Sequence, residues 1–189
     1  DLYDLNQNPG IRSFYAMYSQ VASEDATRPI DLAIGCNFFA RLNSQRNNYS
    51  LGNGVTFTED STKEQLGLKF DNVLQNAGYY ALIHGCSFLF WNLDHAHVFK
   101  LTEFAPLWDE ETGALRAGVR FWRLSPDKPM FGILYEEDGY TRLKSTSKNG
   151  IEFNAADEKK AYKTIYNTAP AEAEPEVIAT ENYSSLPVV

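Results

Sequence analysis

The side chains in this sequence best placed to do chemistry together are His84, Asp94, His95 and His97. Successive side chains on a strand point to opposite faces, so an H-x-H pair there turns two imidazoles to one side, a pattern that suits Zn or Fe. With His84 and Asp94 added, the four residues could serve a small metal-dependent hydrolase. Neither an H-E-x-x-H helix nor a Cys/His cluster accompanies them. Asp94-His95-Ala96 reads as a turn and His97 as part of the strand that follows. The preferred reading is therefore one turn histidine and one sheet histidine, with no catalytic residue, cofactor or metal.

Other chemistries have weaker signals. Gly52-x-Gly54 lacks a Walker lysine and the three-glycine dinucleotide pattern, so it reads as a helix terminator and turn. No G-x-S-x-G occurs, and neither Cys36 (AIGCNFF) nor Cys86 (IHGCSFLF) has a catalytic flank; both read as free buried thiols of a reducing compartment. Asp109-Glu110-Glu111 and Glu136-Glu137-Asp138 fall in expected hairpin turns, where solvated carboxylates are ordinary. Phe88, Phe90, Trp91, Phe121 and Trp122 could form a stacking platform for bases or sugars, but strand aromatics are more often core. An unrelated binding module built on that aromatic sheet stays open as an alternative.

The elements that would position these residues follow from periodicity. Ile11, Phe14, Tyr15 and Tyr18 share a helical face over residues 10–22, and Ile34, Phe38 and Leu42 another over 31–48, with Asp31 near the N-cap. That second pattern fades into SQRNNYSLGNGV, followed by a short β run at Val55-Thr56-Phe57. A third helix over 62–84 opens on a Ser61/Glu64 capping box. It carries the stripe Leu66, Phe70, Val73, Leu74, Ala77 and Ala81 and ends near Gly85. There the hydrophobic period changes from 3.6 to two. CSFLFWNL and HVFKL read as a hairpin, Leu115 to Trp122 alternates as a strand, Asp138-Gly139 marks a second hairpin, and AYKTIYNT adds a strand. Helices followed by hairpins give an α+β fold with a mainly antiparallel sheet of at least five strands between residues 86 and 167. The expected organisation is a helical segment over 1–60, an α+β core over 61–168, and an extended acidic linker over 169–189 ending in a short apolar strand.

The chain has 189 residues, with 12 Phe and 11 Tyr, enough for a real core. It carries 17 Lys and Arg against 25 Asp and Glu, a net charge of −8. Tight phosphate clamping runs the other way, with basic patches, so a nucleic-acid clamp is not expected. No stretch reaches the length of a membrane helix and the N-terminus has no signal-peptide pattern, so a membrane is not an expected partner; with no visible active site, neither is a small-molecule substrate. Asp1 in place of Met indicates a processed chain or a piece of a longer one.

The order of segments resembles the N-terminal half of tailed-bacteriophage portal proteins, over about residues 30–189. That family has a helix running into Y-x-L-G-N-x-V, matched by Tyr49, Leu51, Gly52, Asn53 and Val55. A helix ending in a small-residue turn is matched by Gly85 and Ser87. The strand V-R-[FY]-[FYW] is matched by Val119, Arg120, Phe121 and Trp122, and the P-V-[IV] element by Pro187, Val188 and Val189. In the family that last element leads into a long stem helix, and the hairpin turn is acidic-glycine where this sequence has Asp94-His95-Ala96. The resemblance implies the outward-projecting wing of a structural subunit. Its partners would be other portal subunits in a ring, usually dodecameric, together with capsid, terminase and double-stranded DNA. Its place would be the portal vertex of a virion assembled in a bacterial cytoplasm.

Overall fold

The computed structural model describes residues 4–5, 37–145, 152–167 and 177–189. The expected helix over 10–22 lies outside the described residues, as do residues 31–36 of the second and Cys36. What is described of the second helix, α1, runs Phe38–Leu51. Its N-cap is Asn37, whose side-chain oxygen accepts from Ala40 N at 3.0 Å. The helix does not fade at SQRNNY as its composition indicated. Asn47 is buried and donates to Gln75 O at 2.9 Å, while Gln75 Nε2 donates to Leu51 O at 3.1 Å. These bonds to the neighbouring helix outweigh the poor helix propensity of the asparagines.

The expected single helix over 62–84 is two: α2, Asp60–Leu66, and α3, Phe70–His84. Gly67, at φ 83°, separates them. The N-cap of α2 is Glu59, without a side-chain cap bond, so Ser61 sits inside the helix and the expected capping box does not form. The end of α3 is as read: Gly85 adopts φ 88° and its N–H donates to Ala81 O at 2.8 Å. Val55-Thr56-Phe57 forms no strand. Its backbone is instead tied to α3 and α2, with Val55 N donating to Asp71 Oδ1 at 3.1 Å and Lys63 Nζ to Val55 O at 3.1 Å.

After Gly85 every described strand pairs antiparallel, giving the α+β fold. β1 (Ser87–Asn92) and β2 (His95–Lys100) form a hairpin. β3 (Phe104–Trp108), β4 (Leu115–Trp122), β5 (Phe131–Glu136), β6 (Gly139–Ser145) and β7 (Phe153–Ala155) form a five-stranded meander in sequence order. Pro106 sits on β3, the meander's edge, where its missing N–H leaves no central ladder bond unmade. β8 (Lys163–Tyr166) pairs with β9 (Val177–Glu181), which lies within the stretch read as an extended linker.

The hairpin is the middle layer. On one face Phe88, Phe90 and Phe99 meet Phe104 and Tyr135 of the meander, with ring centroids 4.6 Å apart for Phe88–Phe104 and 4.8 Å for Phe90–Tyr135. Phe99 and Phe104 are fully buried, and such side chains each contribute roughly 1.5–3 kcal/mol. Phe88 and Phe90 are thus core rather than an open stacking platform. On the other face α3 approaches Leu89 and Trp91, and Ser87 Oγ donates to Ala77 O at 2.8 Å.

Candidate functional site

The free edge of β1 is occupied by the last residues of the chain. Leu89 N donates to Val189 O at 2.9 Å, Val189 N to Leu89 O at 2.9 Å, and Trp91 N to Pro187 O at 2.8 Å. Val188 bridges Phe90 antiparallel and is buried with it. Residues 187–189 therefore act as a third strand beside the hairpin. Around them Phe70, Leu89, Trp91, Tyr183 and Leu186 line an open apolar groove of about 400 Å³. Tyr183 also accepts from Leu93 N through its hydroxyl at 2.8 Å, fastening the tail to the hairpin turn.

That turn differs from the expected Asp94-His95-Ala96. Asn92 pairs with His95, so the two turn residues are Leu93 and Asp94, and Leu93 takes φ 61°. Both His95 and His97 are therefore strand residues on one face of β2, not one turn and one sheet histidine. Their Nε2 atoms are 2.9 Å apart, and Asp94 Oδ1 lies 2.5 Å from His95 Nδ1. That hydrogen bond to His95 holds the Asp94 carboxyl below its ordinary range. Desolvation lowers His97, with the neighbouring His95 and Arg120 charges adding to the effect.

His84 does not join this group. It ends α3, three residues before Ser87, which pairs with Lys100 at the far end of the hairpin. The five steps from Lys100 to His95 span roughly 17 Å of strand. Burial instead lowers the His84 pKa, with the Lys100 charge adding to the effect and the Asp4 and Glu103 carboxylates opposing it. The four-residue cluster read from the sequence is thus three residues and a distant fourth. Among the described residues no group of three or more His, Cys, Asp or Glu side chains is placed to hold a metal ion.

The positions that carry the portal resemblance fall partly on junctions between elements and partly within strand β4. Tyr49 is an exposed residue near the end of α1, Leu51 is its last residue, and Gly52 caps it through an N–H to Asn48 O at 2.8 Å. Asn53 is in the turn, and Val55 is bonded to Asp71. The Lys63 ammonium, 2.9 Å from Asp71, is the main cause of that carboxyl's depressed pKa. Gly85 and Ser87 join α3 to β1, and Pro187 lies on β1's edge. Val119, Arg120 and Phe121 lie on β4. Arg120 places its guanidinium 4.6 Å from the centre of the Phe99 ring and 5.6 Å from that of Trp122, a cation–π arrangement that fixes the hairpin on the meander. Burial pushes the Tyr135 hydroxyl up to about 12 although Arg120 hydrogen-bonds to it.

Sequence reasoning missed Asn47, Asp71 and Gln75, which tie the Y-x-L-G-N-x-V segment to α3. Helical spacing marks only apolar stripes, and these three act through polar bonds, Asn47 and Gln75 to backbone carbonyls and Asp71 to Val55 N and the Lys63 ammonium. Among the described residues no helix is long and apolar enough to cross a membrane. No family model matches the chain, and no curated protein matches it in sequence.

Proposed function

We propose that this chain is the wing region of a portal-type ring subunit, a non-catalytic part of the vertex through which double-stranded DNA enters and leaves a phage capsid. One observation carries the reading. The short segments that resemble the portal pattern, scattered over 49–55, 85–87, 119–121 and 187–189, are joined by specific bonds into one packed unit around α3 and β1. The same residues would otherwise be unrelated fragments of common composition.

The charge balance supports the same reading. A net charge of −8 disfavours lasting contact with phosphate, and DNA moving through a ring must slide. In this reading the partners are neighbouring subunits, capsid, terminase and DNA, with no small-molecule substrate. A wing makes only part of the contacts between subunits, and association must offset a large loss of translational and rotational freedom. Light scattering on the chain alone is therefore expected to report a monomer near 21.4 kDa, and on a polypeptide continuing past Val189 through the stem a large closed oligomer. A longer polypeptide that stays monomeric at high concentration would remove the assignment.

A further inference from the structure

The geometry points to a second property, independent of the portal reading: we propose that His95 and His97 chelate one divalent ion of the tetragonal class, Cu²⁺ or Ni²⁺, through their Nε2 atoms. Three features of the hairpin carry this. The first is the separation of the nitrogens. Two imidazole nitrogens 2.9 Å apart, each about 2.05 Å from a shared metal, subtend roughly 90° at that metal, the cis angle of square-planar and tetragonal sites. A tetrahedral ion such as Zn²⁺ wants about 3.3 Å between the nitrogens, so the pair would have to open.

The second feature is the proton arrangement. The Asp94 carboxylate can only accept, so His95 Nδ1 carries the proton in their 2.5 Å hydrogen bond. In the neutral form of that ring His95 Nε2 presents a lone pair, and the proton between the rings sits on His97 Nε2. Metal binding displaces that one proton, which moves by way of solvent to His97 Nδ1, so both rings stay neutral and no net proton is released. Asp94 stands where a carboxylate orients a metal-bound imidazole from its outer side. The third feature is access: the His95 and Asp94 side chains are 51% and 87% exposed, leaving room for water to complete the coordination sphere. Rigidity comes from the cross-strand pairs Asn92–His95 and Phe90–His97, the latter anchored in the core. With two protein ligands the site is exchangeable rather than a closed structural centre.

Calorimetric titration of the chain with CuCl₂ and NiCl₂ in a non-chelating buffer is expected to show one ion per chain, with ZnCl₂ at least tenfold weaker than Cu²⁺. His95→Gln and His97→Gln together should abolish the site, His84→Gln should leave it unchanged, and Asp94→Asn should weaken it by about 10–100-fold. Electron paramagnetic resonance of the Cu²⁺ form of the unaltered chain should show coupling to two equivalent imidazole nitrogens, a readout that does not depend on variants folding. Absence of stoichiometric Cu²⁺ binding, retention of it in the double variant, or a spectrum without two-nitrogen coupling would overturn the proposal.

Discussion

Gly118 shows how tightly single residues are constrained here. A Cβ at that position would lie 2.0 Å from Cζ of Phe104, a ring that is 1% exposed and packed against Phe88 and Phe99. Gly118→Ala should therefore destabilise the protein by about 2–4 kcal/mol in urea unfolding, at or beyond the upper end of ordinary overpacking. Phe104→Leu combined with Gly118→Ala should cost less than the sum of the two single changes, because the shorter side chain clears the clash. Nothing in the alternation of β4 distinguishes Gly118 from an ordinary weak strand position. The ring that needs its space comes from another strand.

Asp109 makes a contrasting case, since its role was legible. It was read as turn chemistry, and it accepts from Thr112 N at 2.8 Å, Thr112 Oγ1 at 2.9 Å and Arg116 Nε at 2.9 Å. The Thr112 backbone bond leads in holding its pKa at about 2, below the ordinary 3.8. A folded value below the unfolded one means that the turn's stabilisation is full above pH 3.8 and is lost as pH falls through about 2. A carboxyl-carbon NMR titration should place the Asp109 midpoint near 2, and Thr112→Val should move it upward by removing the hydroxyl bond.

At the scale of elements, the sequence revealed local features and hid distant ones. The stripe on α3, its Gly85 cap and the Asp138-Gly139 hairpin were all readable, because each depends on residues a few positions apart. The α2–α3 break turned on Gly67, which the apolar stripe concealed. The β1–β2 turn was misplaced because Leu93, not a glycine or asparagine, occupies the left-handed position. Leu93→Asn should relieve that strain and raise stability by about 0.5–1 kcal/mol in chemical denaturation, since asparagine tolerates left-handed backbone.

The docking of 187–189 on β1 was invisible for a similar reason. Pairing across nearly a hundred residues leaves no local periodicity, and an acidic, proline-containing approach reads as linker. Hydrogen exchange offers a direct check. The Leu89 and Trp91 amides, which donate to Val189 and Pro187, should be protected in the intact chain. Val188→Asp would place an unpaired charge beside Phe90 and Tyr135, and both amides should then exchange rapidly.

Among the described residues α3, the hairpin with its added tail strand, and the meander stack as three layers, in an acidic chain whose clearest polar bonds secure junctions between elements. In the portal reading the meander faces outward and the tail strand carries the chain on toward the stem. The most direct measurement is electron microscopy of the polypeptide continuing past Val189, with a small rigid tag inserted between Pro126 and Asp127, in the loop joining β4 to β5. The account predicts closed rings with a central channel and tag density at the outer rim. Monomers, or rings with the tag density in the channel, would contradict it.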